Sequence, residues 1–405
     1  MSVEFGFGTY RVVDQNLEHI QALQLAVDSG IRIIDTSSNY MDGASERMIA
    51  KVLGELDQPH TIEIISKFGY IQGTLLEQIK VDNPFNEVVK YSESCYHCID
   101  AEFMREQLRQ SLQRLQRDTL ECYLLHNPEY YMYDALNKGI AVEVARDTML
   151  QRIYNVFVAL EQEVEAGRIQ SYGISSNSFA KASHEPDFLP YEDLMILARN
   201  AAEEAGNTQH HFSTVELPIN LLEQEGLQCA TWAKKEGLRV IANRVLNAQK
   251  EGVMLRLADY DAPHQYDYHL NTVLELCEHE SLQPIYNIIE QLDSNRHQFM
   301  WIGEYDAFIY TQVIPHLHKS MSILEDEDQA VLIENITLFL DQLKKMVAYE
   351  CSQKTRAQLN ETIGLCDKRL QHCAIDFLIK SQKVDVILVG MRKPSYVADI
   401  TAINL

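Results

Sequence analysis

Short β-branched runs alternate along this chain with segments whose apolar residues recur every three or four positions. Ile31, Ile33 and Ile34 form one such run; it stops on Asp35, crosses a polar loop bearing Tyr40, and gives way after Gly43 to a helical pattern of Met48, Ile49, Val52, Leu53 and Leu56. Seven further runs read as strands: 5–10, 61–67, 120–126, 171–177, 212–218, 238–246 and 384–390. Helical patterns cover 17–29, 100–116, 150–167, 192–205, 226–236 and 362–380, while 68–99 reads as a long irregular segment and 127–147 as a loop. Strands that are apolar on both faces and joined by helices call for a parallel sheet covered on both sides. Eight βα units make an α/β fold of the (β/α)8 TIM barrel kind. An open doubly wound sheet would offer a Gly-rich turn after its first strand, and Gly6-Phe-Gly8 lacks the third glycine.

One stretch does not fit a βα loop. Ile285, Ile288, Ile289, Leu292, Leu332, Ile336, Phe339, Leu343 and Val347 keep helical spacing. Residues 250–356 therefore read as a helical insertion after strand 7, with 1–249 and 357–405 forming the barrel. The insertion is expected over the C-terminal face, where βα loops gather. Its acidic block, Glu325 to Asp328, reads as a solvated face.

Composition narrows the partners. A formal net charge of −24 repels nucleic acid and anionic membrane surfaces alike. No apolar run is long enough to span a bilayer, and the first residues lack the basic and apolar regions of a signal peptide. Most of the eight cysteines lie inside apolar-periodic segments, which suits buried, reduced thiols and a cytoplasmic location. Cys95-Tyr96-His97-Cys98 has no second ligand pair nearby, so no metal site is expected.

The chemistry lies at strand ends. Asp35, Lys67 and His126 close the second, third and fourth runs, and strand ends of a barrel converge on one mouth. Taken singly, each fits a bland role: Asp35 and Lys67 as an ion pair, His126 as a core histidine. Together with Tyr40 they offer more. A free tyrosine titrates near pH ~10, and an adjacent ammonium lowers that value. Asp35 would hold Lys67 charged, and His126 could donate to a carbonyl oxygen. The group could then polarise a C=O and protonate the alkoxide as hydride arrives.

These stretches resemble the aldo-keto reductases. The resemblance is carried by Gly-Phe-Gly-Thr at 6–9, Asp-Thr-Ser-Ser-Asn-Tyr at 35–40 with Gly43, Ser45 and Glu46, Ser-Lys at 66–67, Leu-Leu-His-Asn-Pro-Glu at 124–129, Gly-Ile-Ser-Ser-Asn at 173–177 and Val-Gly-Met-Arg-Lys at 389–393. It implies a catalytic tetrad of Tyr40, Lys67, His126 and Asp35. It also implies a nicotinamide cofactor across the barrel mouth, NADP with NAD as the alternative. Gly8, Thr9 and Gly390 would border that cofactor. Ser175, Ser176 and Asn177 would face its carboxamide, and Arg392 and Lys393 its adenosine phosphate.

Two departures stand out. Asn243 occupies a position where the family commonly stacks an aromatic, with Arg244 beside it to reach the pyrophosphate. Thr214 stands where an amide is common. The pocket must be shaped by the insertion and by the two long loops, with Tyr96, His97, Tyr130, Tyr131 and Tyr133 as lining. The implied activity is reversible hydride transfer between NADPH and an aldehyde, ketone or sugar carbonyl. The alternative is a catalytically weak nucleotide-sensing or regulatory protein that uses the insertion to dock a protein partner.

Overall fold

A computed structural model describes residues 3–56, 61–250, 252–321, 326–364 and 367–403. Glu325 of the acidic block and Cys366 lie outside the described residues. Eight parallel strands close a barrel: β1 (Glu4–Gly8), β2 (Ile33–Asp35), β3 (Glu63–Phe68), β4 (Cys122–His126), β5 (Tyr172–Ser175), β6 (Phe212–Pro218), β7 (Arg239–Asn243) and β8 (Val386–Val389). Each strand pairs with its sequence neighbours, and β8 closes the ring between β7 and β1.

The strand pattern fixes what faces inward. Ile33, Ile65, Cys122, Leu124, Ile241, Val386 and Leu388 form one apolar cluster, the floor of the barrel interior. Side chains two residues apart on a strand share a face. Asp35, Lys67, His126, Asn243 and Gly390 therefore stand one pleat above that floor. Pairing of His126 with Ser175, of Ser175 with Glu216, and of Gly8 with Asp35 puts Ser175, Glu216 and Gly8 on the same inner face.

Helices cover the outside where the pattern asked for them. Helix Ala101–Leu115 starts at Asp100, whose carboxylate accepts from the Glu102 and Phe103 amides, and it buries Phe103, Met104, Leu108 and Leu115. Three segments differ from the sequence reading. Residues 68–99 hold a helix, Gly73–Val81, and a small antiparallel sheet of Tyr70–Ile71, Cys95–His97 and Val89–Ser92. Strands of two to four residues are too short to show a period. The loop after β4 contains helix Tyr130–Asn137, and the next helix begins at Val142 rather than at 150. The pattern at 362–380 is two helices: one ends at Ile363, before Gly364 in the left-handed region (φ 63°), and another spans Leu370–Ser381.

The described residues up to Val245 and from Ile375 form one compact unit; Leu246–Ala374 form a second. The second unit opens with a hairpin, Asn247–Lys250 and Val253–Arg256. It continues through helices to a 38-residue helix, Asp326–Ile363. Its own core buries Ile285, Ile289, Leu292, Leu332, Ile336, Phe339, Leu343 and Val347. Cys95, Cys98, Cys122, Cys229, Cys277 and Cys351 are free and buried, whereas Cys373 is disulfide-bonded, contrary to the reduced state expected there. Among the described residues no helix is long and apolar enough to cross a membrane.

Candidate active site

Lys67 is fully buried and its ammonium is enclosed by three acceptors. It pairs with Asp35, donates to the Thr36 carbonyl at 3.1 Å, and lies 3.3 Å from Glu216 Oε2. Glu216, on β6, is missing from the sequence reading. Its signal was a lone carboxylate inside the apolar run Thr-Val-Glu-Leu-Pro, two residues past the inward Thr214. Burial pulls the Lys67 pKa down, but Asp35 and then Glu216 outweigh it and hold the ammonium above its ordinary range. Burial, and then the charge of Glu216, push Asp35 well above the usual carboxylate range. Two carboxylates share one ammonium, so the cluster favours taking up a proton.

Tyr40 follows β2 at the rim. Lys67 Nζ stands 5.5 Å from its ring centroid, and the ring meets Tyr10 and His126 edge-on at 5.3 and 6.2 Å between centroids. Met41 and Asp42, next in the chain, both occupy the left-handed region (φ 50° and 55°), a strained turn for L-residues. Asp42 secures it by accepting from the Thr74 amide and hydroxyl. The sequence reading has Lys67 lowering the Tyr40 pKa; the net direction is the opposite. Burial raises it, Lys67 lowers it in part, and Asp35 and Glu216 add to the rise.

His126 ends β4 with its ring 4.7 Å from that of Tyr70 and its Nδ1 3.4 Å from Ser37 Oγ. Burial, then the charges of Lys67 and His97, keep its pKa well below the ordinary value, so the ring is neutral near pH 7. The His126 carbonyl accepts from His97 Nε2 at 2.7 Å. That contact requires Gly69: a Cβ there would lie 2.7 Å from both atoms. Of the aromatics expected to line a pocket, Tyr130 stacks on His97 at 5.0 Å and meets Tyr133 edge-on. Tyr131 lies beneath Arg152, and Tyr96 beneath Lys90. These rings pack on their neighbours, and Tyr130 packs on Tyr70 and His97, the two residues that contact His126. Cys95 and Cys98 hydrogen-bond to Gln72 and to the Asn86 carbonyl, and no cluster that could hold a metal occurs among the described residues.

The expected cofactor residues divide into two sets. A cavity of about 470 Å³ is lined by Tyr10, Arg11, Asn39, Tyr40, Met41, Gln72 and Arg392. It brings Arg392, and the unanticipated Arg11, to the same space as Tyr40. Thr9 is buried beside it, its hydroxyl donating to the Asp35 carbonyl at 2.8 Å, while Gly390 is exposed with open space around its Cα. The second set is already engaged. Arg244 Nη2 donates to both carboxylate oxygens of Glu223 at 2.7 and 2.9 Å, and Lys393 lies 3.7 Å from Glu18. Ser176 donates to Glu129 at 2.8 Å, and Asn177 Nδ2 donates to Asn127 Oδ1 at 3.3 Å. Asn243 turns inward and donates to Glu216.

Glu129 gives this region a pH dependence. Burial raises its pKa from 4.5 to about 7. Its stabilising contribution is full below about pH 4.5 and is lost as pH rises through 7, since the unfolded carboxyl ionises first. Unfolding free energy from urea titrations should fall by on the order of 3 kcal/mol between pH 5 and 8 relative to Glu129→Gln. Parallel pH dependences of the two proteins would sink this.

The aldo/keto reductase family model matches residues 4–404. Comparison with curated proteins finds no match in sequence. Among solved structures, a glycerol dehydrogenase from Gluconobacter oxydans is 15% identical, with 98% of this chain and 85% of that chain covered and a TM-score of 0.50. An aldo-keto reductase from Bacillus halodurans, in its holo form, is 14% identical over the same shares with a TM-score of 0.48. An aldo/keto reductase from Klebsiella pneumoniae in complex with NADP and acetate is 20% identical over 60% of this chain and 65% of that one, with a TM-score of 0.37. At 15% identity the likeness to the glycerol dehydrogenase is one of fold.

Proposed function

The chain belongs to the aldo/keto reductase family, and from that premise we propose an NADP-dependent oxidoreductase that interconverts an aldehyde, ketone or sugar carbonyl and its alcohol. One observation carries the reading. Asp35, Lys67 and His126, from three strands, stand on one inner face beneath Tyr40, whose ring lies near both Lys67 and His126. NADPH bound there would supply the hydride. Tyr40 gives its proton to the carbonyl oxygen, and the neutral His126 ring donates a hydrogen bond to the same atom. Lys67 stabilises the phenolate left on Tyr40, which regains its proton from solvent in the cavity. In the oxidative direction each transfer runs backwards.

One feature supports the cofactor. Arg11 and Arg392 line the same cavity as Tyr40, and arginines suit phosphate.

The test is NADPH consumption by the purified chain against a panel of short aldehydes, ketones and aldoses, with the alcohols and NADP for the reverse direction. Tight NADPH binding without turnover in either direction would favour the regulatory reading. Arg392→Ala should raise the KM for NADPH about tenfold or more, the worth of one charged hydrogen bond, and leave that for NADH within about twofold. Equal losses with both cofactors would remove Arg392 from the 2′-phosphate.

A further inference from the structure

Lys67 meets more negative charge than it needs. Asp35, on the neighbouring strand β2, would balance it alone. Glu216 reaches the same ammonium from β6, with Oε2 3.3 Å from Nζ, and all three side chains are buried. A carboxylate so placed is unfavourable unless it is held. Asn243 holds it: its Nδ2 donates to Glu216 Oε1 at 2.8 Å. One oxygen of Glu216 is thus tied to β7 and the other is left at the ammonium. Strand register makes the meeting possible, since Ile241, two residues before Asn243 on the same face, pairs with Glu216.

The consequence falls on Tyr40. Lys67 Nζ stands 5.5 Å from its ring centroid. The other titratable groups that act on it are Asp35 of β2, His126 of β4, Glu216 of β6 and Tyr10 after β1. His126 is neutral near pH 7, so of the groups named only Lys67 is a cation. A phenolate on Tyr40 depends on that ammonium, and two carboxylates compete for it. With both ionised, the trio of Asp35, Lys67 and Glu216 is net negative. A proton shared between the carboxylates brings it no higher than neutral.

We propose that Glu216, held in place by Asn243, is a positioning residue that claims part of the Lys67 charge in competition with Tyr40, and thereby restrains alcohol oxidation, the direction that needs a phenolate. The proposal rests on the oxidoreductase reading above and deepens it. It also gives Asn243 a task inside the barrel wall, at a position where the resemblance leads one to expect an aromatic.

The experiment compares NADP-dependent alcohol oxidation by the full-length wild type and by Glu216→Gln from about pH 7 to 10. Glutamine keeps the size of the side chain, and its amide oxygen still accepts from Asn243; only the charge is removed. Glu216→Gln should oxidise about three- to tenfold faster at a given pH on the rising limb, because easier proton release outweighs the weaker basicity of the phenolate. A residue that merely supported the fold would give a loss when replaced. Wild-type or lower oxidation rates in folded Glu216→Gln overturn the proposal. Should that variant fail to fold, Asn243→Ala decides: it frees Glu216 to turn from Lys67 and should raise oxidation about twofold or more, and an unchanged or lower rate overturns the proposal. A second readout needs no turnover. The ultraviolet phenolate absorbance of Tyr40, taken as the difference from the matching Tyr40→Phe protein, should emerge at lower pH in Glu216→Gln. That shift without turnover of any alcohol or carbonyl would uphold the part played by Glu216 and overturn the oxidoreductase reading; turnover with no shift in phenolate or rate would do the reverse.

Discussion

Replacing Tyr40 by Phe should lower NADPH-dependent carbonyl reduction by about 10²–10⁴-fold, the usual worth of a positioned general acid. NADPH affinity should hold within about twofold. The substitution removes only the hydroxyl; the edge-on contacts of the ring with Tyr10 and His126 remain. The raised pKa of Tyr40 adds a directional test. The phenol stays protonated below its folded pKa, so wild-type reduction should hold steady into alkaline pH. Oxidation needs the phenolate and should climb with pH over the same interval. Retention of reductase activity in the Phe variant, measured by NADPH consumption, would take Tyr40 out of the chemistry.

Lys67→Met should cost both activity and stability. Removing the ammonium leaves Asp35 and Glu216 facing each other without a counter-charge, and breaking a buried ion pair in this way costs about 3–5 kcal/mol near neutral pH. The sign of the pH dependence follows from Asp35, whose folded pKa lies above the unfolded one. Its contribution is favourable at low pH and is lost as pH rises. The stability gap between variant and wild type should therefore narrow from pH 8 to pH 5 in urea titrations. Activity should drop by about 10²-fold or more, since nothing else offsets the phenolate on Tyr40. A gap that widens on acidification would mean that the two carboxylates are not what Lys67 neutralises.

The barrel was legible because its strands are β-branched on both faces and end abruptly on charge. Ile33-Ile34-Asp35, Ile64-Ile65-Ser66-Lys67 and Leu124-Leu125-His126 each announce a buried strand and a polar rim. The inward face was also readable in principle, since Asp35, Lys67 and His126 each stand two residues beyond a floor residue. Glu216 stands two residues beyond Thr214, which is not part of that floor, and lies inside its run with Leu217 and Pro218 after it, so it does not mark a strand end. The sheet of Tyr70–Ile71, Val89–Ser92 and Cys95–His97 was unreadable because neighbours, not periodicity, hold such short strands. His97 shows the limit most clearly. Its role depends on the approach of Gly69 to the His126 carbonyl, a meeting of distant residues that no local pattern encodes. The direction of the Tyr40 shift was missed for a related reason: one cation was anticipated, and the second carboxylate was not.

The strand that completes the ring is also the last to be made. β8 pairs with β1 on one side and β7 on the other, and the whole of 246–374 is translated between β7 and β8. Closure over so long a connection is thermodynamically mild, because each doubling of loop length adds only about 0.6 kcal/mol. The burden is kinetic. At about 5–20 residues per second, a nascent chain waits on the order of ten seconds with one edge of β1 and one edge of β7 unpaired. Two naked hydrogen-bonding edges invite pairing with other chains. During that interval, holdase binding or fast, autonomous collapse of 246–374 decides between soluble product and aggregate.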